Sequence, residues 1–255
     1  MIIDFSKLSS IKIGPKIEVD VIDENSYNGQ MLIGRATNTL ISPTAKNLGV
    51  LDDRYRYIKI EKGCLIVGAK TQNRSLYSFC KRHNIGGFEF LSKLPGSIGG
   101  SIKMNAGVKE YEISNLLLSL KTAGGVKEKK EFNFSYRYSD INTPVFEAVF
   151  ELKEGFDYDV DQQIKKMRKN QPTEPSLGSV FKNPTGDYAG RLIEAVGMKG
   201  MRKGGVKVSE MHANFFVNTG GGTFDDMLFL IDTAKKRVYE NFGIMLEEEI
   251  KIIKN

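Results

Sequence analysis

The sequence predicts an α+β protein of more than one domain, and three observations carry that prediction. The chain has 255 residues, more than a single core of ordinary size uses. Its middle third runs in short apolar stretches separated by glycine turns, which is how strands are written. Toward the C-terminus, Phe224, Met227, Leu228, Ile231, Ala234, Val238 and Phe242 recur on one face of a helix that Gly243 stops. Apolar residues at 40% and charged residues at 27% are the proportions of a soluble globular enzyme, not of a disordered or fibrous chain.

The first fifty residues read as a small lobe of short strands, IEVDVID and MLIGR, followed by a turn at Pro43. YIKIEKGCLIVGA reads as two strands about Gly63, and TQNRSLYSFCKRHN as a helix stopped by Gly86 and Gly87. Next comes LPGSIGGSIKMNAG, residues 94–107, where dense glycines let the backbone bend sharply and bring N–H groups against a flat or anionic partner. The strand LLLSLKTA, a basic turn GGVKEKK and the strand VFEAVFEL complete a β-rich unit. Helical periodicity returns in YDVDQQIKKMRKN, and the prolines and glycines of TEPSLGSVFKNP break it. Thr223 and Asp226 make a capping box for the long helix, and IMLEEEIKII is expected to end the chain as a strand. The expected divisions are 1–52, 53–156 and 157–255, with the last strand able to pack back on the earlier part.

Composition narrows the chemistry. A net charge of +6 suits anionic ligands, yet 37 basic residues are scattered among 31 acidic ones, without an arginine-rich arm or zinc-finger spacing. A basic cleft for a phosphorylated small molecule fits this balance, and no nucleic-acid partner is expected. Two cysteines, Cys64 and Cys80, are too few for a disulfide scaffold, and no signal-like segment opens the chain. A cytoplasmic protein without a membrane span follows as the expectation. Cys80 shares a helix face with Leu76, Phe79 and His83, so packing is its expected role. His83 and His212 are the only histidines, and no His-rich metal site can be built from them. Redox or transfer chemistry would therefore need an organic cofactor or carboxylates, serines and arginines.

By itself PGSIGGS matches neither the dinucleotide turn nor the P-loop and reads as a glycine-rich connection. In order, however, the chain presents LPGSIGGSIKMNAG, SYRYSD, QPTEPSLGSVFKNP, AGRLIEAVGMKG, HANFFVN and FGIMLEEEI. That succession resembles the UDP-N-acetylenolpyruvoylglucosamine reductase (MurB) family, flavoenzymes of peptidoglycan synthesis. The resemblance implies a small N-terminal lobe, a middle domain of the vanillyl-alcohol-oxidase-like (PCMH) type that binds FAD, and a C-terminal α+β substrate domain. It further implies FAD, NADPH as hydride donor and UDP-N-acetylglucosamine enolpyruvate as substrate; the FAD is expected to be noncovalent, with no metal, and the chain a monomer. Between Phe150 and Gln171 there is room for one strand and one helix only, so the chain resembles the shorter type of the family, without the inserted tyrosine-bearing lid.

The implied reaction delivers hydride to C3 of the enolpyruvyl group while negative charge builds on C2 and its carboxylate. Cations must hold that charge, and an acid must protonate C2. By match to the family, Ser179 is the acid, and Arg137 pairs with the carboxylate through its planar fork. Glu249 matches a glutamate near the enol oxygen. Periodicity instead puts Glu248 on the apolar face with Ile244, Leu246, Ile250 and Ile252, so a bulge or a polar-face site is needed for Glu249. Lys182, Asn183 and Lys199 match substrate-binding positions, and Arg168 matches an arginine near FAD; His212 is expected to support the fold.

Within 94–107, the FAD-contacting positions carried over are Pro95, Gly96, Ser97, Gly99, Gly100 and Asn105. A second family segment, Gly-x-Gly-Ser-Asn, appears here as Gly34, Arg35, Ala36, Thr37 and Asn38. Ala36 replaces a glycine, and a positive φ there would strain it by about 1 kcal/mol or more. Two rival readings follow from the same fold: a covalent-flavin oxidase, which the absence of His and Cys from 94–107 disfavours, and a flavin-binding protein without activity, which the changed GRATN loop favours.

Overall fold

Alternation along Cys64–Gly68 and Val145–Glu151 sends Leu65, Val67, Ala148 and Phe150 to one side, where all four are fully buried. In the computed structural model, which describes residues 1–254, Val145–Glu151 is the central strand of a five-stranded antiparallel sheet. Gly125–Glu128 and Leu117–Thr122 lie on one side of it, Cys64–Gly68 and Ile58–Glu61 on the other. Asn255, the last residue of the expected third division, lies outside the described residues.

Three helices cover the core of this sheet. Asn73–Arg82 contributes Leu76 and Cys80, Ile98–Lys103 contributes Ile98 and Ile102, and Tyr158–Met167 contributes Ile164. Burial pushes the Cys80 thiol pKa upward, as packing rather than nucleophilic duty requires. The first helix ends at His83, because Asn84 turns to φ +56°, two residues before the expected stop at Gly86. Gly125 at φ +97° confines the basic turn to its first residues; the segment continues as the strand Gly125–Glu128 and then a single helical turn, Lys129–Glu131.

The chain forms two compact units, each assembled from separated stretches. The sheet just described belongs to a unit of Val19–Gly34 and Asn47–Lys169; the other comprises Met1–Glu18, Arg35–Lys46 and the chain from Asn170 onward. The units divide the chain differently from the expected 1–52, 53–156 and 157–255, while the last strand does pack back on the earlier part. The reason is burial: Tyr158–Met167 closes the sheet core with Ile164, whereas Lys251–Ile253 pairs in parallel with Thr39–Ile41.

The second unit is built on a four-stranded antiparallel sheet in the order Ser176–Ser179, Phe215–Asn218, Val206–Val208, Arg202–Lys203. The helix Phe224–Phe242 lays Met227, Leu230, Ile231, Ala234 and Val238 into a core shared with Phe181, Phe216 and Leu192. Its ends are as the sequence predicts. Thr223 Oγ1 accepts from Asp226 N at 3.1 Å, Asp226 Oδ2 accepts from Thr223 N at 3.0 Å, and Gly243 closes the helix at φ +67°.

The expected terminal strand is shorter than its alternation implies, since only Lys251–Ile253 is strand. Ahead of it, 247–250 is held against 180–182: Lys182 N donates to the Glu247 carbonyl at 2.9 Å, and Glu249 N donates to that of Val180 at 2.8 Å. Among the described residues, no helix is long and apolar enough to cross a membrane, and no group of His, Cys, Asp and Glu could hold a metal ion.

Candidate functional site

Ser179 sits where the strand Ser176–Ser179 breaks its register against Phe215–Asn218. Gly178 makes the break by adopting φ +82°, so a β-bulge re-aims the serine that follows it. An isolated Gly-Ser reads as a turn, and only the sheet partner turns it into a bulge. Ser179 is half-buried and lines an open cleft of about 440 Å³ with Asn183, Tyr188, Arg191, His212 and Asn214. No hydrogen bond to its hydroxyl is formed among the described residues, which leaves the group available to a ligand.

The chain behind Ser179 is clamped by Asn214. Its Oδ1 accepts from Phe181 N at 2.9 Å, its Nδ2 donates to the Phe181 carbonyl at 2.8 Å, and its own carbonyl accepts from Val180 N at 2.8 Å. Asn214 is buried and was legible in HANFFVN only as a polar residue opening an apolar strand. His212 Nδ1 accepts from Asn214 N at 3.3 Å, which assigns the ring proton to Nε2, and burial lowers its pKa below the ordinary histidine value. On the cleft wall, Arg191 Nε donates to Asp187 Oδ1 at 2.7 Å, and that bonding holds the Asp187 carboxyl down to about 2.

Glu249 lies beside Ser179 through the backbone, by the bond from its N–H to the Val180 carbonyl. Its neighbour Glu248 is committed elsewhere: Lys235, on the long helix, meets Glu248 Oε1 at 2.8 Å. Periodicity singled out the glutamate that faces the helix, and the segment's pinning to 180–182 is what separates the two. Lys182 meets Glu247 at 2.6 Å, and Lys199 meets Glu194 at 2.7 Å. Asn183 Oδ1 accepts from Ala189 N at 3.1 Å and so caps the helix Ala189–Ala195 while its side of the loop borders the cleft.

The GRATN segment holds Ala36 at φ +48°, the left-handed conformation that the family's glycine would favour. Ala36 is buried, and its carbonyl accepts from Ser10 N at 3.3 Å; Ser10 Oγ donates to the Thr37 carbonyl at 3.2 Å. Asn38 Nδ2 donates to the Glu249 carbonyl at 3.0 Å. Arg35 is half-buried, and Gly34, the last residue of the other unit, is exposed; a Cβ on Gly34 would stand 2.9 Å from Ser97 Oγ.

In the unit that holds 94–107, Pro95 and Gly100 are exposed and Gly96 takes φ +126°. Ser97 caps the helix Ile98–Lys103 by accepting from Gly100 N. Two N–H groups of the segment are taken up inside the protein: Ile98 N donates to the Thr71 carbonyl and Gly99 N to that of Ala69, both at 2.9 Å. Gly99 is small for a packing reason, since its Cβ would come within 3.1 Å of Ala69 Cβ, whereas Gly100 meets only Ser97 Oγ, at 3.4 Å. Asn105, at φ +42°, directs its side chain into the protein, where Nδ2 donates to Glu112 Oε2 at 2.8 Å and to the Ser135 carbonyl at 3.1 Å. Arg168 Nη1 donates to the Lys93 carbonyl at 2.6 Å, just before the segment begins.

Arg137 belongs to the two-residue turn between Phe134–Ser135 and Tyr138–Ser139, at φ +55°. The turn holds it in a conformation that L-residues avoid. Its guanidinium lies 5.0 Å from the Tyr136 ring centroid, and Nη2 donates to the Gly107 carbonyl at 3.0 Å. The structure thus groups Ser179, Asn183 and Glu249 in one unit with Lys182 and Lys199, and groups Arg137 with the glycine-rich segment and Arg168 in the other.

The family model described as the C-terminal domain of UDP-N-acetylenolpyruvoylglucosamine reductase matches residues 170–253. The UDP-N-acetylenolpyruvoylglucosamine reductase of Campylobacter jejuni (strain RM1221) is 47% identical over 99% of this chain and 100% of its own length. That of Helicobacter hepaticus is 45% identical, over 99% and 98% of the two chains. The crystal structure of the corresponding reductase from Thermus caldophilus superposes with a TM-score of 0.87 at 27% identity, over 99% of this chain and 98% of that one.

Proposed function

Because this chain belongs to the UDP-N-acetylenolpyruvoylglucosamine reductase family, we propose that Ser179, Arg137 and Glu249 carry its reaction, the reduction of UDP-N-acetylglucosamine enolpyruvate to UDP-N-acetylmuramate in peptidoglycan synthesis. The observation that carries the reading is the Gly178 bulge, which leaves the Ser179 hydroxyl uncommitted in a cleft within the part of the chain that the family model matches.

The unit holding 94–107 fits a flat, anionic dinucleotide. Gly34 and Ser97 are in such close approach that a Cβ on Gly34 would fill the space between them, and Gly96 and Gly100 carry no side chain where their backbone reaches solvent. Pro95, Gly96, Ser97, Gly100 and Gly34 would hold noncovalent FAD there, with Gly99, Asn105 and Arg168 shaping the segment. Arg35, Ala36, Thr37 and Asn38 form the remainder of the second cofactor segment. Bound flavin supplies a two-electron carrier between NADPH and the substrate.

The chain's own residues then do the following. Arg137 binds the substrate carboxylate, and its permanent charge is worth most as negative charge grows there. Ser179 Oγ gives its proton to C2 of the enolpyruvyl group; a weak acid serves because the carbon it meets is strongly basic. Glu249 orients the groups around the enol oxygen, while Lys182, Asn183 and Lys199 bind the sugar and diphosphate. Pinning 247–250 to 180–182 keeps Glu249 and Ser179 in one rigid frame.

Spectra test this reading. Purified protein is expected to be yellow, to bleach anaerobically with NADPH, and to regain its colour on addition of UDP-N-acetylglucosamine enolpyruvate. Recolouring by oxygen alone, with no response to the enolpyruvyl substrate, would make the chain an oxidase or an inactive flavin binder.

A further inference from the structure

We propose that Asn105 is a positioning residue for Arg137, locking the hairpin that carries this arginine onto the end of the glycine-rich segment. The inference rests on the reading that Arg137 binds the substrate carboxylate.

The hairpin cannot set its own geometry. Phe134–Ser135 and Tyr138–Ser139 supply two residues each, too few for a hairpin to be stable alone, and the turn holds Arg137 in the left-handed region. Something outside it must impose that conformation. Hydrogen bonds to 103–107 do so: Ser139 Oγ donates to the Lys103 carbonyl at 2.9 Å, Asn105 Nδ2 to the Ser135 carbonyl at 3.1 Å, and Arg137 Nη2 to the Gly107 carbonyl at 3.0 Å.

Asn105 is the centre of this clasp. It is 1% exposed and takes φ +42°, a conformation that asparagine tolerates better than most residues. One amide hydrogen goes to Ser135 and the other to Glu112 Oε2, while Oδ1 accepts from Ser114 N at 3.4 Å. The Glu112 carboxylate fixes which way the amide is turned, because only the NH₂ end can face it. With both hydrogens committed inside the protein, the side chain acts on a ligand through Arg137.

Calorimetric affinities of the full-length, FAD-loaded protein for two ligands test the idea. UDP-N-acetylmuramate bears the carboxylate that Arg137 would hold, and UDP-N-acetylglucosamine lacks it. Asn105→Gly removes the amide while keeping a residue that accepts positive φ. It is expected to weaken UDP-N-acetylmuramate about tenfold, the usual worth of a misplaced charged hydrogen bond, and to leave UDP-N-acetylglucosamine unchanged. In an Arg137→Lys background the same substitution should add nothing further. Ser139→Ala, which loosens the clasp from its other side, should show the same selectivity should the glycine variant fail to fold. Equal weakening of both ligands, or additive losses in the double variant, overturns the positioning role. If Arg137→Lys itself fails to separate the two ligands, the carboxylate reading of Arg137 falls, and the inference falls with it.

Discussion

The side-chain amide of Asn38 donates to the main-chain carbonyl of Glu249 at 3.0 Å, and Lys251 N donates to the Asn38 carbonyl at 2.8 Å. A candidate cofactor residue near the N-terminus is thereby tied across 211 positions to the candidate catalytic residue of the last segment. Asn38→Ala should cost about 1 kcal/mol in urea unfolding, the net value of one hydrogen bond. It should also slow flavin reoxidation by substrate more than flavin reduction by NADPH. Equal slowing of both would mean that Asn38 serves the cofactor alone.

Ser179→Ala should fold and hold FAD normally, because among the described residues its hydroxyl supports nothing. Rapid mixing with NADPH should show reduction near the normal rate. Reoxidation by the enolpyruvyl substrate should fall by roughly 10² to 10⁴, the usual worth of a positioned general acid, with partial recovery in Ser179→Cys. Reoxidation at the wild-type rate would reassign the acid.

Gly99 and Gly100 are adjacent in sequence but should respond differently. Gly99→Val forces a branched side chain against Ala69, at 3.1 Å from the first added carbon, and should destabilise the sheet unit by about 1–3 kcal/mol. Gly100→Val meets only the Ser97 hydroxyl and should leave thermal unfolding of the apo-protein little changed while emptying the protein of flavin. Flavin content and melting temperature, measured on both variants, separate packing from cofactor contact.

Ala36→Gly should be close to neutral. Relief of the left-handed strain is worth about 1–2 kcal/mol. Against it stand about 0.8 kcal/mol for the buried methyl and about 0.5–1 kcal/mol for the glycine's extra freedom when unfolded. Unfolding curves differing by more than about 1 kcal/mol in either direction would show that one of these opposing effects has been misjudged.

Asp161 contributes to the change in stability at acid pH. Fully buried, it accepts from Lys165 at 2.8 Å, from Tyr77 at 3.0 Å and from Lys81 at 3.2 Å. Burial raises its pKa, but these hydrogen bonds outweigh burial, and the net shift is downward. A lowered carboxyl pKa contributes stability that is present above the unfolded-state value, near 3.8, and is lost as pH falls through the folded value. Asp161→Asn should therefore destabilise at pH 7 by about 1–3 kcal/mol, discounted because both lysines are partly exposed. The gap from wild type should narrow below about pH 4. A gap that stays constant down to pH 2 would contradict the ionic role.

Local rules sufficed where one element carries its own signals. The capping box at Thr223, the Gly243 stop, the paired strands about Gly63 and the packing role of Cys80 all follow from residues a few positions apart. The ordered motifs from LPGSIGGSIKMNAG to FGIMLEEEI were enough to point to the family. What the sequence left open depends on partners distant along the chain. Ser179 is a bulge rather than a turn because Phe215 pairs with it, and Glu248 rather than Glu249 faces the long helix because 247–250 is bonded to 180–182. Gly99 serves packing against Ala69, and Asn105 joins two loops, although both sit in a segment that reads as ligand-binding. Periodicity reports which side of an element is apolar; it holds no record of which distant backbone group takes each hydrogen bond, and such bonds hold Glu249 beside Ser179 and the Arg137 hairpin to Asn105.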